Sequence, residues 1–200
     1  MRASTRREFV AGPAGRIECA VDRPEGPSRG IGLIAHPHPL FGGTLDNKVV
    51  QTLARAFVEL GYETWRPNFR GVGETEGTHD EGRGELEDLA AVLSRIRTET
   101  FILAGFSFGG SLVAKLAEMH KPEWLVLVGV GITRVMAPPV PPGTLVIHGE
   151  ADDTVPLAAV LDWARPQELP VVVVPGADHF FHRKLHILRA LVNQNRPCSG

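Results

Sequence analysis

The sequence is poor in the features that mark membrane, disulfide-stabilised and nucleic-acid-binding proteins. Its 200 residues include only two cysteines and carry a formal net charge of −2 at pH 7. They contain no apolar run of the about 18 residues needed to cross a bilayer. A small net negative charge opposes binding to polyanions. We therefore expect no membrane partner and no nucleic-acid partner.

The N-terminal region also lacks the pattern of a secretory signal. Arg2, Arg6 and Arg7 are basic, but no apolar run follows them. Without an export signal, Cys19 and Cys198 are expected to stay reduced, with a disulfide between them as the alternative. We expect a cytoplasmic protein, and the sequence does not indicate its oligomeric state.

Short apolar runs alternate along the chain with segments of helical spacing. Residues 8–11 and 16–21 flank a Gly/Pro turn and predict a β-hairpin. The alternation that follows predicts the α/β class, with a mainly parallel central sheet, an N-terminal antiparallel hairpin and helices on both faces. The predicted strands are 30–35, 62–69, 101–104, 124–130, 144–148 and 171–174, and the predicted helices are 49–60, 85–96, 112–119, 157–163 and 183–193.

The length fits one domain comprising residues 1–200. Residues 131–143, between two predicted strands, are too few for a helical cap. We therefore expect a single domain without a lid and an open binding site.

The most specific local motif is Gly-Phe-Ser-Phe-Gly at residues 105–109. It lies between a predicted strand and a predicted helix, the context of a nucleophile elbow. In such an elbow the serine has a strained backbone, and the residues two before and two after it must be small. Gly105 and Gly109 meet that requirement, so Ser107 is predicted to be a nucleophile.

A serine hydroxyl needs a base to take its proton and a carboxylate to orient that base. On this fold they follow in the order acid, then histidine, after later strands. We predict Asp152 as the acid, with Asp153 and then Glu150 as alternatives in the same turn. The two of these three residues that are not the acid are expected to cap the helix that follows. We predict His179 as the base, with His182 as its competitor.

The oxyanion of acyl transfer requires two N–H donors. One is predicted to be the backbone N–H of Phe108, directly after the nucleophile. The other should come from the loop after strand 30–35, where Pro37 and Pro39 have no N–H to donate. His38 is therefore predicted as the second donor, with Leu40 as the alternative.

No motif predicts a metal or a nucleotide cofactor. His36, His38, His148 and His179 are expected near one edge of the sheet, but neither HExxH nor paired cysteines accompany them. The glycines at residues 71–73 lack the third glycine of a dinucleotide-binding turn. We expect no metal and no cofactor.

These residues together resemble the small bacterial α/β-hydrolases related to dienelactone hydrolase, across residues 30–191. The motifs are HPHP (36–39), GG (42–43), DNK (46–48), NFRGVG (68–73), GFSFGG (105–110), HGEAD (148–152) and ADHFFH (177–182). The resemblance implies the α/β-hydrolase fold, a Ser107–His179–Asp152 triad and cofactor-independent ester hydrolysis. Dienelactone hydrolase itself has Cys where this chain has Ser107, so a dienelactone is not taken as the substrate.

The predicted function is hydrolysis of a small carboxylic ester or thioester through an acyl-enzyme. Leu40, Phe41, Phe106 and Met136 are predicted to flank the substrate. A serine peptidase and an acyltransferase on the same triad are the alternatives among enzymes. The alternative that is not an enzyme is a catalytically silent α/β-hydrolase that binds a ligand.

Overall fold

The computed structural model describes residues 5–132 and 136–196. Their strands form one eight-stranded sheet in the order β1-β2-β4-β3-β5-β6-β7-β8. The first two pairings, β1 with β2 and β2 with β4, are antiparallel, and all later ones are parallel. The strands are β1 (Arg6–Gly12), β2 (Gly15–Asp22), β3 (Ile31–Ala35), β4 (Glu63–Pro67), β5 (Phe101–Phe106), β6 (Trp124–Val128), β7 (Leu145–Gly149) and β8 (Val171–Val174).

Helices cover both faces of the sheet, as the alternating pattern predicts. They are α1 (Lys48–Glu59), α2 (Arg83–Ile96), α3 (Phe108–His120), α4 (Leu157–Ala164) and α5 (Leu185–Gln194). Buried side chains of α2, α3 and α4 pack in one core, and those of α1 and α5 pack in the other. Successive residues of the central strands alternate between these cores, because side chains in a strand point to opposite faces. The predicted mainly parallel sheet with its N-terminal hairpin is confirmed.

The largest boundary difference lies around residue 107. Strand β5 continues to Phe106, two residues beyond the predicted 101–104, and α3 begins at Phe108 rather than at residue 112. Ser107 alone separates the two elements. The glycines that weaken helical propensity in a sequence pattern are here the residues that allow strand and helix to pack closely.

Two further expectations concern the membrane and the cysteines. None of the helices within residues 5–132 and 136–196 is long and apolar enough to cross a membrane. Cys19 is buried in β2 as a free thiol, and burial raises its pKa to about 12. Cys198 lies outside the described residues, and so does the alternative disulfide.

A buried ion pair joins the antiparallel and parallel parts of the sheet. Arg66 of β4 is 2% exposed, and its Nη2 donates to Asp22 Oδ2 of β2 at 2.8 Å. Its Nη1 donates to the carbonyl oxygen of Leu45, just before α1, also at 2.8 Å. One guanidinium therefore ties the hairpin to the loop that leads into α1.

We expect Asp22→Ala to destabilise the fold by about 3–5 kcal/mol, because it leaves the Arg66 charge buried without its carboxylate. Asp162→Ala is the matched control, since Asp162 pairs with Arg165 at a position where both side chains are 71% exposed. That variant should change stability by less than about 0.5 kcal/mol. Urea unfolding measures both, and equal effects would contradict this role of Arg66.

Candidate active site

Ser107 occupies a strained turn between β5 and α3. Its φ of 54° and ψ of −120° lie in a region that residues with a side chain rarely adopt. A Cβ on Gly105 would come within 2.4 Å of the Gly109 carbonyl oxygen, and one on Gly109 within 2.4 Å of the His36 carbonyl oxygen. The turn therefore needs glycine at both positions, as the elbow motif predicts.

Hydrogen bonds to the Ser107 backbone hold this conformation in place. Its N–H donates to Val128 O of β6 at 3.0 Å, and its carbonyl oxygen accepts from Gly110 at 2.9 Å and from Gly131 at 3.0 Å. The hydroxyl of Ser111 donates to the Gly131 carbonyl oxygen. These contacts fix the serine against both α3 and the segment that follows β6, so the strain is offset locally.

The predicted acid and base converge on the serine. His179 Nε2 lies 3.0 Å from Ser107 Oγ, and His179 Nδ1 lies 2.7 Å from Asp152 Oδ2. His179 follows β8 and is 3% exposed, and Asp152 follows β7 and is 7% exposed. Parallel strands bring these loops to one edge of the sheet, because their carboxyl ends all lie there.

Asp152 is held by more than the histidine. Its Oδ1 accepts from the backbone N–H groups of Thr154 at 2.9 Å and Val155 at 2.7 Å. Burial by itself raises the pKa of Asp152, but the hydrogen bonds from His179 and Val155 outweigh burial and hold that pKa below its ordinary value. The carboxylate therefore stays ionised, with one oxygen directed at the imidazole.

The competing residues have other partners. Asp153 is exposed, and its Oδ1 accepts from the Thr154 hydroxyl at 3.4 Å. Glu150 Oε2 accepts from the Gly176 N–H at 2.8 Å across the neighbouring turn. The ring of His182 lies 2.7 Å from Asp178 Oδ2, and its side chain is 68% exposed. None of the three is brought to Ser107.

Two other histidines at the same sheet edge form hydrogen bonds with backbone groups. His36 Nδ1 lies 2.7 Å from Pro37 O, and its Nε2 accepts from the Phe69 N–H at 3.0 Å. Burial lowers the pKa of His36 to about 3, so the ring is neutral. His148 Nε2 lies 2.9 Å from Val155 O, and burial lowers the pKa of this ring also.

The four histidines therefore do not converge as ligands. Within residues 5–132 and 136–196, no three His, Cys, Asp or Glu side chains are grouped so that they could hold a metal ion. The donor types present instead form hydrogen bonds with one another and with the backbone.

His38 lies on the loop after β3, against the elbow. Its ring centroid is 4.7 Å from that of Phe108, 4.9 Å from that of Phe41 and 4.9 Å from that of His79. The Leu40 N–H donates to the His38 ring nitrogen Nδ1 at 3.3 Å. The Leu40 N–H therefore already has an acceptor within this loop.

A cavity of about 360 Å³ opens above Ser107 and His179. The loop after β3 forms one wall, which contains Pro37, His38, Phe41, Gly42, Gly43 and Asn47. The cavity is large enough for a small organic substrate, and the serine, the histidine and the first residue of α3 all face it.

The opposite wall follows β7 and β8. Thr154, Val155 and Phe180 line it, together with Gly131 beside the elbow. The sequence analysis did not assign these residues, although closeness in sequence to Asp152 and His179 was a usable signal for Thr154, Val155 and Phe180. Asn47 was also missed as a site residue, since its position only suggests a helix cap.

The four predicted substrate contacts are placed differently. Phe41 lines the cavity. Leu40 and Met136, both described residues, are 67% and 74% exposed and lie outside its lining. Phe106 is fully buried and packs its ring 4.8 Å from that of His179, so it contacts the histidine from within the core and does not line the cavity. A buried strand residue and two exposed loop residues cannot be told from a pocket wall by sequence alone.

A tight strand–Ser–helix turn, with acid and histidine after later strands of a mainly parallel sheet, defines the class of α/β hydrolases. The family model described as the alpha/beta hydrolase fold matches residues 38–143. An uncharacterised protein of Rickettsia prowazekii is 31% identical, in a match that covers 92% of this chain and 86% of that one. The chain belongs to the α/β-hydrolase family, as the resemblance in its motifs predicted.

Two solved structures of α/β serine hydrolases are also similar to this chain, at higher sequence identity. An α/β serine hydrolase homologue of Coxiella burnetii is 39% identical, with a TM-score of 0.88 over 98% of this chain and 100% of that one. A serine hydrolase without a lid from Xanthomonas campestris is 37% identical, with a TM-score of 0.89 over 100% and 99%. These likenesses support hydrolase activity and confirm the predicted fold.

The buried His36 predicts a pH dependence of stability. Because its folded pKa of about 3 lies below the ordinary value of 6.5, the unfolded chain binds one more proton between these values. Stability should therefore be full above pH 6.5 and fall as the pH is lowered towards 3, by up to about 1.4 kcal/mol per pH unit from this group. His36→Gln should reduce the slope by that amount in urea unfolding between pH 4 and 6.5. An unchanged slope would show that His36 does not titrate there.

Proposed function

We propose that the protein is a serine hydrolase that cleaves small carboxylic esters or thioesters, with Ser107 as nucleophile, His179 as base and Asp152 as orienting acid. One observation carries the proposal. A continuous hydrogen-bonded chain runs from Ser107 Oγ to His179 Nε2 at 3.0 Å and from His179 Nδ1 to Asp152 Oδ2 at 2.7 Å. This arrangement activates a hydroxyl for acyl transfer.

In the first step His179 Nε2 takes the proton of Ser107 as Oγ bonds to the ester carbonyl carbon. The tetrahedral intermediate collapses, the carbon–oxygen bond to the alcohol breaks, and His179 returns the proton to the leaving oxygen. Water then attacks the acyl carbon while His179 takes one of its protons. The bond from this carbon to Ser107 Oγ breaks, His179 returns the proton to Oγ, and the acid leaves. Asp152 accepts a hydrogen bond from the Nδ1–H of His179 and stabilises the imidazolium in both steps.

We further propose that the backbone N–H groups of Phe108 and His38 bind the oxyanion. Phe108 is the first residue of the 13-residue helix α3, so its N–H belongs to the helix N-terminus, where negative charge is stabilised. His38 lines the same cavity, whereas Leu40 does not and donates its own N–H to His38 Nδ1. These contacts favour His38 over Leu40.

The whole chain is proposed to form one domain without a lid. No helix occurs between β6 and β7 in the part of that segment that the structure describes, which is all of it except residues 133–135. The Xanthomonas campestris relative is described as lacking a lid. An uncovered site suits small or extended esters that enter directly from solvent.

Ser107→Ala should abolish the burst of p-nitrophenol from p-nitrophenyl butyrate and lower turnover by at least about 10³-fold. A fluorophosphonate probe should label the unaltered protein and not this variant. Ser94→Ala is a matched control, since Ser94 is exposed on α2 and does not line the cavity. Labelling in Ser107→Ala, or turnover equal to that of the unaltered protein, would overturn the assignment. Hydrolysis of aminoacyl anilides in place of esters would indicate a peptidase.

The neighbouring carboxylates Asp152 and Asp153 provide a second test. Asp152→Asn should lower kcat by about 10³- to 10⁴-fold, because an amide favours the wrong imidazole tautomer. Asp153→Asn should change kcat by less than about twofold, as expected for an exposed side chain. Esterase kinetics with thermal unfolding of both variants distinguish a catalytic effect from loss of the fold. The reverse order of effects would assign the acid to Asp153.

A further inference from the structure

The described residues that line the cavity above Ser107 carry no permanent charge. No Asp, Glu, Lys or Arg lines it within the part of the chain that the structure describes. The adjacent carboxylate of Asp152 is occupied by His179 and by two backbone N–H groups. A charged substrate would lose water on entry and meet no permanent counter-ion among these described wall residues, which is costly. The walls therefore suit an uncharged ester.

Asn47 provides the amide side chain among the described residues that line the cavity. It lines the cavity and is also the N-cap of α1, where its Oδ1 accepts from the backbone N–H groups of Val49 at 2.9 Å and Val50 at 3.4 Å. Because those bonds fix the amide oxygen, Nδ2 is directed away from the helix end. No residue in the described ranges accepts a hydrogen bond from Nδ2.

Aromatic surface flanks the opening on both walls. Phe41 is 66% exposed and Phe180 is 43% exposed, and both line the cavity. Exposed apolar surface beside a concave site indicates contact with hydrocarbon or aromatic parts of a ligand. The site thus combines apolar contact with one amide donor.

Resting on the proposed function, we propose that the substrate is an uncharged ester with a second hydrogen-bond acceptor oxygen, to which Asn47 Nδ2 donates. The apolar parts of that ester contact Phe41 and Phe180. Asn47 is in this view a specificity-determining residue, since it selects among esters without touching the transferred proton.

Two substitutions separate the donor from the helix cap. Asp and Ser both cap helices about as well as Asn, so Asn47→Asp and Asn47→Ser should keep the thermal midpoint within about 3 °C. Both remove the Nδ2 donor, and Ser does so without adding charge. Asn195→Ser is the matched control, because Asn195 Nδ2 donates to Leu191 O at the far end of α5.

The substrates are pairs that differ by one acceptor oxygen. One pair is p-nitrophenyl butyrate and p-nitrophenyl methoxyacetate, and others carry the ether oxygen further along the acyl chain or on an alkyl alcohol. For at least one pair, Asn47→Ser should lower the ratio of kcat/KM for the ether to that for the hydrocarbon by about fivefold, the effect of one hydrogen bond. Asn195→Ser should leave every ratio unchanged. Ratios unchanged in both Asn47 variants across all pairs would overturn the role of Asn47.

Charge is tested with p-nitrophenyl methyl adipate and p-nitrophenyl hydrogen adipate, which differ by one methyl group and one negative charge. The unaltered protein should prefer the uncharged diester by at least about tenfold in kcat/KM at pH 8, the order expected for an uncompensated charge. Equal rates would overturn the inference of an uncharged substrate. Failure of fluorophosphonate to label Ser107 would instead overturn the proposed function, so the two failures are distinguishable.

Discussion

The close approach of three backbones at the elbow is the constraint on which the site depends. Strand β5, helix α3 and the loop after β3 meet so tightly that no side-chain carbon fits at Gly105 or Gly109. This contact holds Ser107 at a φ of 54°, which an isolated serine would avoid. It also brings the loop carrying His38 beside the N-terminus of α3. A larger residue at either glycine would separate these elements and move Ser107 away from His179.

The parallel sheet brings Asp152 and His179 to Ser107. Asp152 and His179 follow adjacent parallel strands, β7 and β8, and so reach the same edge as Ser107 although 27 and 72 residues separate the bonded pairs in sequence. Burial would neutralise a lone carboxylate, yet three hydrogen bonds to Asp152 keep it ionised. The same edge holds His36 and His148 as neutral rings that brace the loops. Some polar groups at this edge hold the loops in place, and the others face the cavity.

The cavity relates the proposed chemistry to the proposed substrate. Its walls come from the loop after β3 and from the turns after β7 and β8, with an amide on one side and aromatic rings at the mouth. The triad residues would react with many esters, because acyl transfer requires only a carbonyl carbon within reach of Ser107. Selection among esters must then come from wall residues such as Asn47 and Phe180, which act on parts of the substrate away from the reacting bond.

The elements that carry a local signal were predictable from the amino-acid sequence. Apolar periodicity predicted the sheet and both helical faces, and the glycines around Ser107 with the order of Asp152 and His179 predicted the residues that meet, because both depend on short-range steric and topological rules. The remaining features depend on contacts between segments that are distant in sequence, and only the fold shows them. It separated Asp152 from Asp153, gave His36 a bracing position, placed Phe106 beneath His179 and left Leu40 and Met136 outside the cavity. Adjacent residues with similar side chains differ in the direction in which their side chains point. That direction is set by packing between segments that are distant in sequence.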